Sequence, residues 1–122
     1  MGDRRTTLAF TIANAAMTPM LRSRKEPDKA WAKAAQRVEK EFGGELDEDD
    51  RQWIEDFRFL IGCVAEVPDL AAIGWVTTMM DAQARLRNRL RIRELHREHP
   101  EIGEEPITRP VFVVGLPRTA TT

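Results

Sequence analysis

The chain has 122 residues, 19 Lys and Arg against 20 Asp and Glu, 42% hydrophobic and 32% charged side chains, which is the make-up of one charge-rich globular domain. A net charge of −1 gives no overall electrostatic reason to expect nucleic acid or an acidic membrane as partner. No stretch approaches the ~20 apolar residues of a bilayer span, and the single cysteine, Cys63, rules out an internal disulfide and points to a reducing, cytoplasmic setting.

The pattern predicts four helices and one strand. Arg4 and Arg5 ahead of an apolar stretch with an Ala13-x-Ala15 pair loosely imitate a signal peptide. Thr11 and Asn14 interrupt that stretch and Asp3 spoils the basic region, so an amphipathic first helix over residues 6–21 is the preferred reading, with Pro19 disturbing its last turn. Met1-Gly2 with Thr6 fits a myristoylation pattern, a motif short enough to recur by chance. Residues 23–26 read as a polar connection. Pro27 then opens a second helix to Phe42, with Trp31, Ala34, Ala35, Val38 and Phe42 on one face and Gly43-Gly44 as its stop.

Asp47 is placed to cap a third helix whose first turn holds Glu48, Asp49 and Asp50, where the helix dipole favours negative charge. Capping accounts for this acidic cluster without a metal. Trp53, Ile54, Phe57, Leu60, Ile61, Val64 and Ala65 follow at helical spacing, and Cys63 among them reads as a small core residue. A fourth helix is expected from Pro68-Asp69 to about His99, its first half carrying the apolar Leu70, Ile73, Val76 and Met80 and its second half Leu86, Leu90 and Leu95 along one side. Arg85, Arg89, Arg93 and Arg97 recur every four residues and form one ridge. Such a ridge could meet a phosphate or RNA, but it lacks interleaved aromatics and Glu94 and Glu98 partly neutralise it, so a solvated face is expected. His96 and His99 sit in the last turn, where cations suit the dipole.

Residues 1–105 thus form a helical region, and 106–122 a different one. After Pro100 and a polar connector, Pro110 opens a run of Val111, Phe112, Val113 and Val114 without alternation, the mark of a strand covered on both faces in a parallel sheet. Gly115 breaks the run, and Leu116, Pro117, Arg118, Thr119, Ala120, Thr121 and Thr122 follow. A buried strand, a turn, one fixed cation and hydroxyls where a helix should start is the layout of a phosphate cradle. Against G-x-x-x-x-G-K-[ST], Ala120 stands for the second glycine and Thr121 for the lysine, a poor match for ATP hydrolysis.

The segment Val111 to Thr122 closely resembles the 5′-phosphosulfate loop of bacterial sulfotransferases that use 3′-phosphoadenosine-5′-phosphosulfate, typically G-[LF]-P-R-[ST]-G-T-T after an apolar strand. The approach through His99-Pro100-Glu101-Ile102, Pro106-Ile107 and Arg109-Pro110 is similar to that branch as well. The resemblance covers about the last quarter of the chain. It implies an α/β parent with a P-loop-like, three-layer fold and a parallel sheet, of which this chain would be the N-terminal part: helices, first strand and the start of the loop. It implies transfer of a sulfuryl group to an acceptor hydroxyl or amine on a small molecule, carbohydrate or lipid. Arg118 would be the catalytic cation, Gly115, Leu116, Pro117, Arg118, Thr119, Ala120, Thr121 and Thr122 the donor-binding residues, and no metal would take part. Ala120 departs from the family's glycine; if that position needs φ > 0, the methyl group costs of order 1 kcal/mol. The 122-residue chain alone is expected to be inactive. Two other readings stand beside this one: a helical interaction or regulatory module with a chance motif, and another P-loop enzyme such as a kinase.

Overall fold

The computed structural model describes residues 7–43 and 46–112. Four α-helices run in the order α1 (Leu8–Met17), α2 (Pro27–Phe42), α3 (Glu48–Ala65) and α4 (Ala72–Glu98), with 3-10 segments at Thr18–Lys25 and Pro100–Glu104. Both bounds of α2 and the start of α3 follow directly from their end signals. Pro27 occupies the first turn of α2, where its missing N–H costs nothing, and Gly43 ends it in the left-handed conformation (φ 58°), its N–H donating to the Glu39 carbonyl. Asp47 caps α3, its Oδ1 accepting from the Asp50 N–H at 2.7 Å.

The other two helices differ from expectation at their ends. Thr7 caps α1 by accepting from Phe10 N–H, and the α-helix stops at Met17; Pro19 cannot donate, so the chain tightens into an eight-residue 3-10 segment in place of a polar connection. Helix α4 starts at Ala72, later than Pro68-Asp69, because Asp69 takes a positive φ of 53° and turns the chain out of helical geometry. Leu70 then folds back over Gly74, where a Cβ would lie 2.9 Å from Leu70 Cδ1.

The N-terminal segment secures this α3–α4 corner. Ala71 precedes α4 and has no capping side chain, and Asn14 fills that role from 59 positions away, its Oδ1 accepting from Ile73 N–H at 3.2 Å. Helix α3 has no basic residue in its last turn; Arg24 reaches in instead, donating to the carbonyls of Ala65 (2.8 Å) and Val67. Both ends left open by local sequence are thereby closed by tertiary contacts.

The core lies between α2, α3 and α4. Trp31, Ala34, Ala35 and Val38 of α2 meet Ile61 of α3 and Trp75, Ala82, Leu86 and Leu90 of α4, all buried. The two largest buried side chains keep their polar ends satisfied: Trp31 Nε1 donates to the Ile54 carbonyl at 2.8 Å, and Trp75 Nε1 to Ser23 Oγ at 2.9 Å. Phe57 stacks on Trp53 with ring centroids 4.2 Å apart and meets Trp31 at 5.8 Å.

Four positions of the expected apolar stripes, Met80, Cys63, Leu60 and Leu95, lie at the surface. The first half of α4 is rotated by one residue from the expected stripe: Ala72, Trp75 and Ala82 are buried, whereas Met80 is 63% exposed. Between Leu70 and Met80 every side chain is uncharged, so both candidate faces are apolar and periodicity cannot choose between them. Cys63 and Leu60 are exposed, because α3 turns its Trp53, Ile54, Phe57 and Ile61 stripe inward and these two fall beside it. Leu95 is exposed because α4, at about 40 Å, outruns the about 24 Å of α2.

Candidate functional site

Arg118 and the donor-binding positions Gly115, Leu116, Pro117, Thr119, Ala120, Thr121 and Thr122 lie outside the described residues, as do Val113 and Val114. The approach to them is described. Helix α4 ends at Glu98, the His99 N–H donates to the Leu95 carbonyl, and Pro100–Glu104 makes one 3-10 segment. His99 Nδ1 sits 3.0 Å from Glu101 Oε1, with both side chains in solvent. Beyond them Ile107, Val111 and Phe112 are exposed. Val111 and Phe112, the first two residues of the expected strand, have no strand among the described residues to pair with, and the rest of that strand lies outside them. The sheet half of the α/β expectation thus has no counterpart among the described residues, which are helical.

The arginine ridge of α4 is the site the structure builds most fully: its outer members Arg85 and Arg97 lie on a solvated face as expected, and the expectation is corrected at Arg89 and Arg93. Asp50 is buried at 1% exposure, and both of its carboxylate oxygens are taken: Oδ1 accepts from Arg89 Nε at 2.8 Å and Oδ2 from Arg93 Nη1. Arg93 also approaches Asp47 at 3.7 Å. The outer members of the ridge pair within α4, Arg85 with Asp81 and Arg97 with Glu94. These four arginines therefore carry little free positive charge toward a ligand. The middle pair instead ties α4 to the first turn of α3 across a shallow groove of about 500 Å³, with Trp53 and Ile92 on its walls.

A buried carboxylate with both oxygens held by guanidinium groups is badly placed to take a proton or a substrate, and well placed to fix the register of two helices. Asp50 could have been read in the sequence. It stands at the same phase as Ile54, Phe57 and Ile61, so an acid on that stripe needs a buried cation from a neighbouring helix. The same residue that seemed to serve only the dipole is the inward-facing member of its cluster, while Asp47 does the capping. Among the described residues no group of three or more candidate ligands could hold a metal ion.

Two surface contacts shift ionisation. Arg87 donates twice to Glu41, at 2.7 and 2.8 Å; these hydrogen bonds hold the Glu41 carboxyl below the usual carboxylate range and raise the Arg87 guanidinium further. The hydrogen bond to Glu26 likewise raises Lys29. Both pairs are exposed at the edge of the bundle.

No family model, no characterised protein and no solved structure matches the chain. Among the described residues no helix is long and apolar enough to cross a membrane.

Proposed function

We propose that this chain carries the donor-gripping opening of a sulfotransferase that takes a sulfuryl group from 3′-phosphoadenosine-5′-phosphosulfate to an acceptor hydroxyl or amine. One observation carries the reading: the order of residues from Val111 to Thr122, in which an apolar run, a glycine, a Leu-Pro-Arg turn and three threonines reproduce the family's loop with one departure, Ala120. The described helices are compatible with it, since they leave the segment leading to that loop unpacked.

In this reading the transfer is in line and resembles phosphoryl transfer, resting on positioning and on stabilisation of charge without a covalent intermediate. Arg118 meets the phosphosulfate and stabilises negative charge growing on the leaving phosphate. Thr119, Thr121 and Thr122 add hydroxyl and backbone N–H donors, and Gly115 lets the backbone approach the anion. No metal is needed for these steps.

The deciding experiment starts from the genomic DNA after codon 122. If the reading frame continues, the longer polypeptide should bind adenosine 3′,5′-bisphosphate and transfer labelled sulfate, and Arg118→Ala should abolish donor use while leaving the circular dichroism spectrum intact. Unchanged kinetics in that variant would remove Arg118 from the mechanism, and a longer polypeptide that binds no donor would end the proposal.

A further inference from the structure

A second groove, on the face formed by the Thr18–Lys25 segment, α2 and α4, is built differently from the arginine ridge. Its volume is about 520 Å³, and its floor is apolar: Ala34, Trp75, Val76 and Met79, with Pro19, Met20 and Met80 along the edges. Three cations stand on its rim: Arg22 on one wall and Lys33 and Arg37 on the other. No Asp or Glu lines it. The contrast with α4 is one of charge. Five of the six arginines of α4 (Arg85, Arg87, Arg89, Arg93 and Arg97) meet a carboxylate and Arg91 does not, whereas all three cations of this groove, Arg22, Lys33 and Arg37, form no ion pair among the described residues and are exposed. On a chain whose net charge is −1, this is a local single-sign site around an apolar trough.

From this arrangement we infer that the groove docks an acidic amphipathic helix of a partner protein. The apolar trough accepts a stripe of aliphatic side chains, and methionines suit such a role because their unbranched, polarisable side chains adapt to the shape that enters. Lys33 and Arg37 are one helical turn apart on α2, so their charges repeat every ~6 Å along the wall. Carboxylates at i and i+4 on a helix lying along α2 repeat at the same spacing, and Arg22 faces the opposite edge of that helix. The charges set orientation and encounter rate, and the trough supplies the anchor.

The test uses the 122-residue chain and two labelled synthetic amphipathic peptides, identical except that Glu pairs at i and i+4 beside the leucine stripe in one are Lys in the other. Fluorescence anisotropy should show saturable binding of the Glu peptide, weakening as salt is raised, and much weaker binding of the Lys peptide. The double variant K33E/R37E, changed at two exposed positions, should lose about tenfold or more toward the Glu peptide and gain affinity for the Lys peptide. That reversal shows that the variant is folded and that the rim charges choose the partner. Equal binding of the two peptides, an undiminished affinity in the double variant, or no saturable binding of the Glu peptide overturns the inference. So does co-sedimentation with phosphatidylglycerol vesicles that K33E/R37E abolishes while the Glu peptide fails to compete, since the face would then be a lipid surface.

Discussion

Val38 and Val111 are the same side chain in two regions of one molecule: the first is fully buried in the helical body, the second is 87% exposed in the C-terminal lead-in. Hydrophobicity does not separate them. The difference lies in how each backbone satisfies its hydrogen bonds. A helix pairs its own N–H and C=O groups, so the apolar stripe of α2 needs only another helix to bury it. An apolar run that is to become a strand needs a neighbouring strand first, and the described residues provide none. The helical body therefore closes its core without help from the segment that leads to the proposed donor loop.

The largest effect that sharpens this contrast comes from the core of the body. Trp31 is buried, fills the α2–α3 interface and donates to the Ile54 carbonyl, so Trp31→Ala removes a large side chain together with the second hydrogen bond of a carbonyl that keeps its place in the α3 ladder. A loss of about 3–5 kcal/mol in urea unfolding is expected, a large share of the stability of a domain this size. A loss below about 1 kcal/mol would mean that the body is loosely packed and no different in kind from the lead-in.

The second effect is electrostatic. Asp50→Asn keeps the shape and removes the charge that two arginines share. The usual cost of orphaning a buried ion pair is about 3–5 kcal/mol. Arg89 and Arg93 keep roughly a third of their surface in water and can be partly resolvated, so about 2 kcal/mol is expected here. Asp49→Asn, on the exposed side of the same turn, is the control and should cost only a few tenths. Equal shifts in the two melting temperatures would reduce Asp50 to a dipole partner and remove the α3–α4 tie.

These sites also show where the sequence was legible. Both ends of α2 and the start of α3 were readable because a proline, a glycine and an aspartate there act within one turn. The register of α4 was not, since an uncharged stretch offers two equally apolar faces and only the position of Trp75 against Ser23 decides. Asn14 and Arg24 were invisible for a different reason: their partners lie 59 and 41 positions away, a distance that no local pattern spans. Of the candidate site, the proposed donor motif rests on the sequence, its eight positions lying outside the described residues, and the middle of the α4 ridge was misjudged because Asp50 was counted with its neighbours instead of with its helical phase.

The smallest expected effect is the most direct attempt to break the comparison. Val111→Ser together with Phe112→Ser removes two exposed apolar side chains, and if the lead-in makes no stabilising contact with the body, unfolding free energy should change by no more than about 0.5 kcal/mol. Hydrogen exchange gives the same answer without substitution: the amides of Val111 and Phe112 should exchange as an open chain does, while those of Val38 and Leu86 wait for global unfolding. A loss above about 1 kcal/mol in the double variant, or protected amides at 111 and 112, would show that the lead-in packs on the body. The proposed donor loop would then be positioned by the helices themselves rather than by a sheet, and Arg118 would have to be sought near α4.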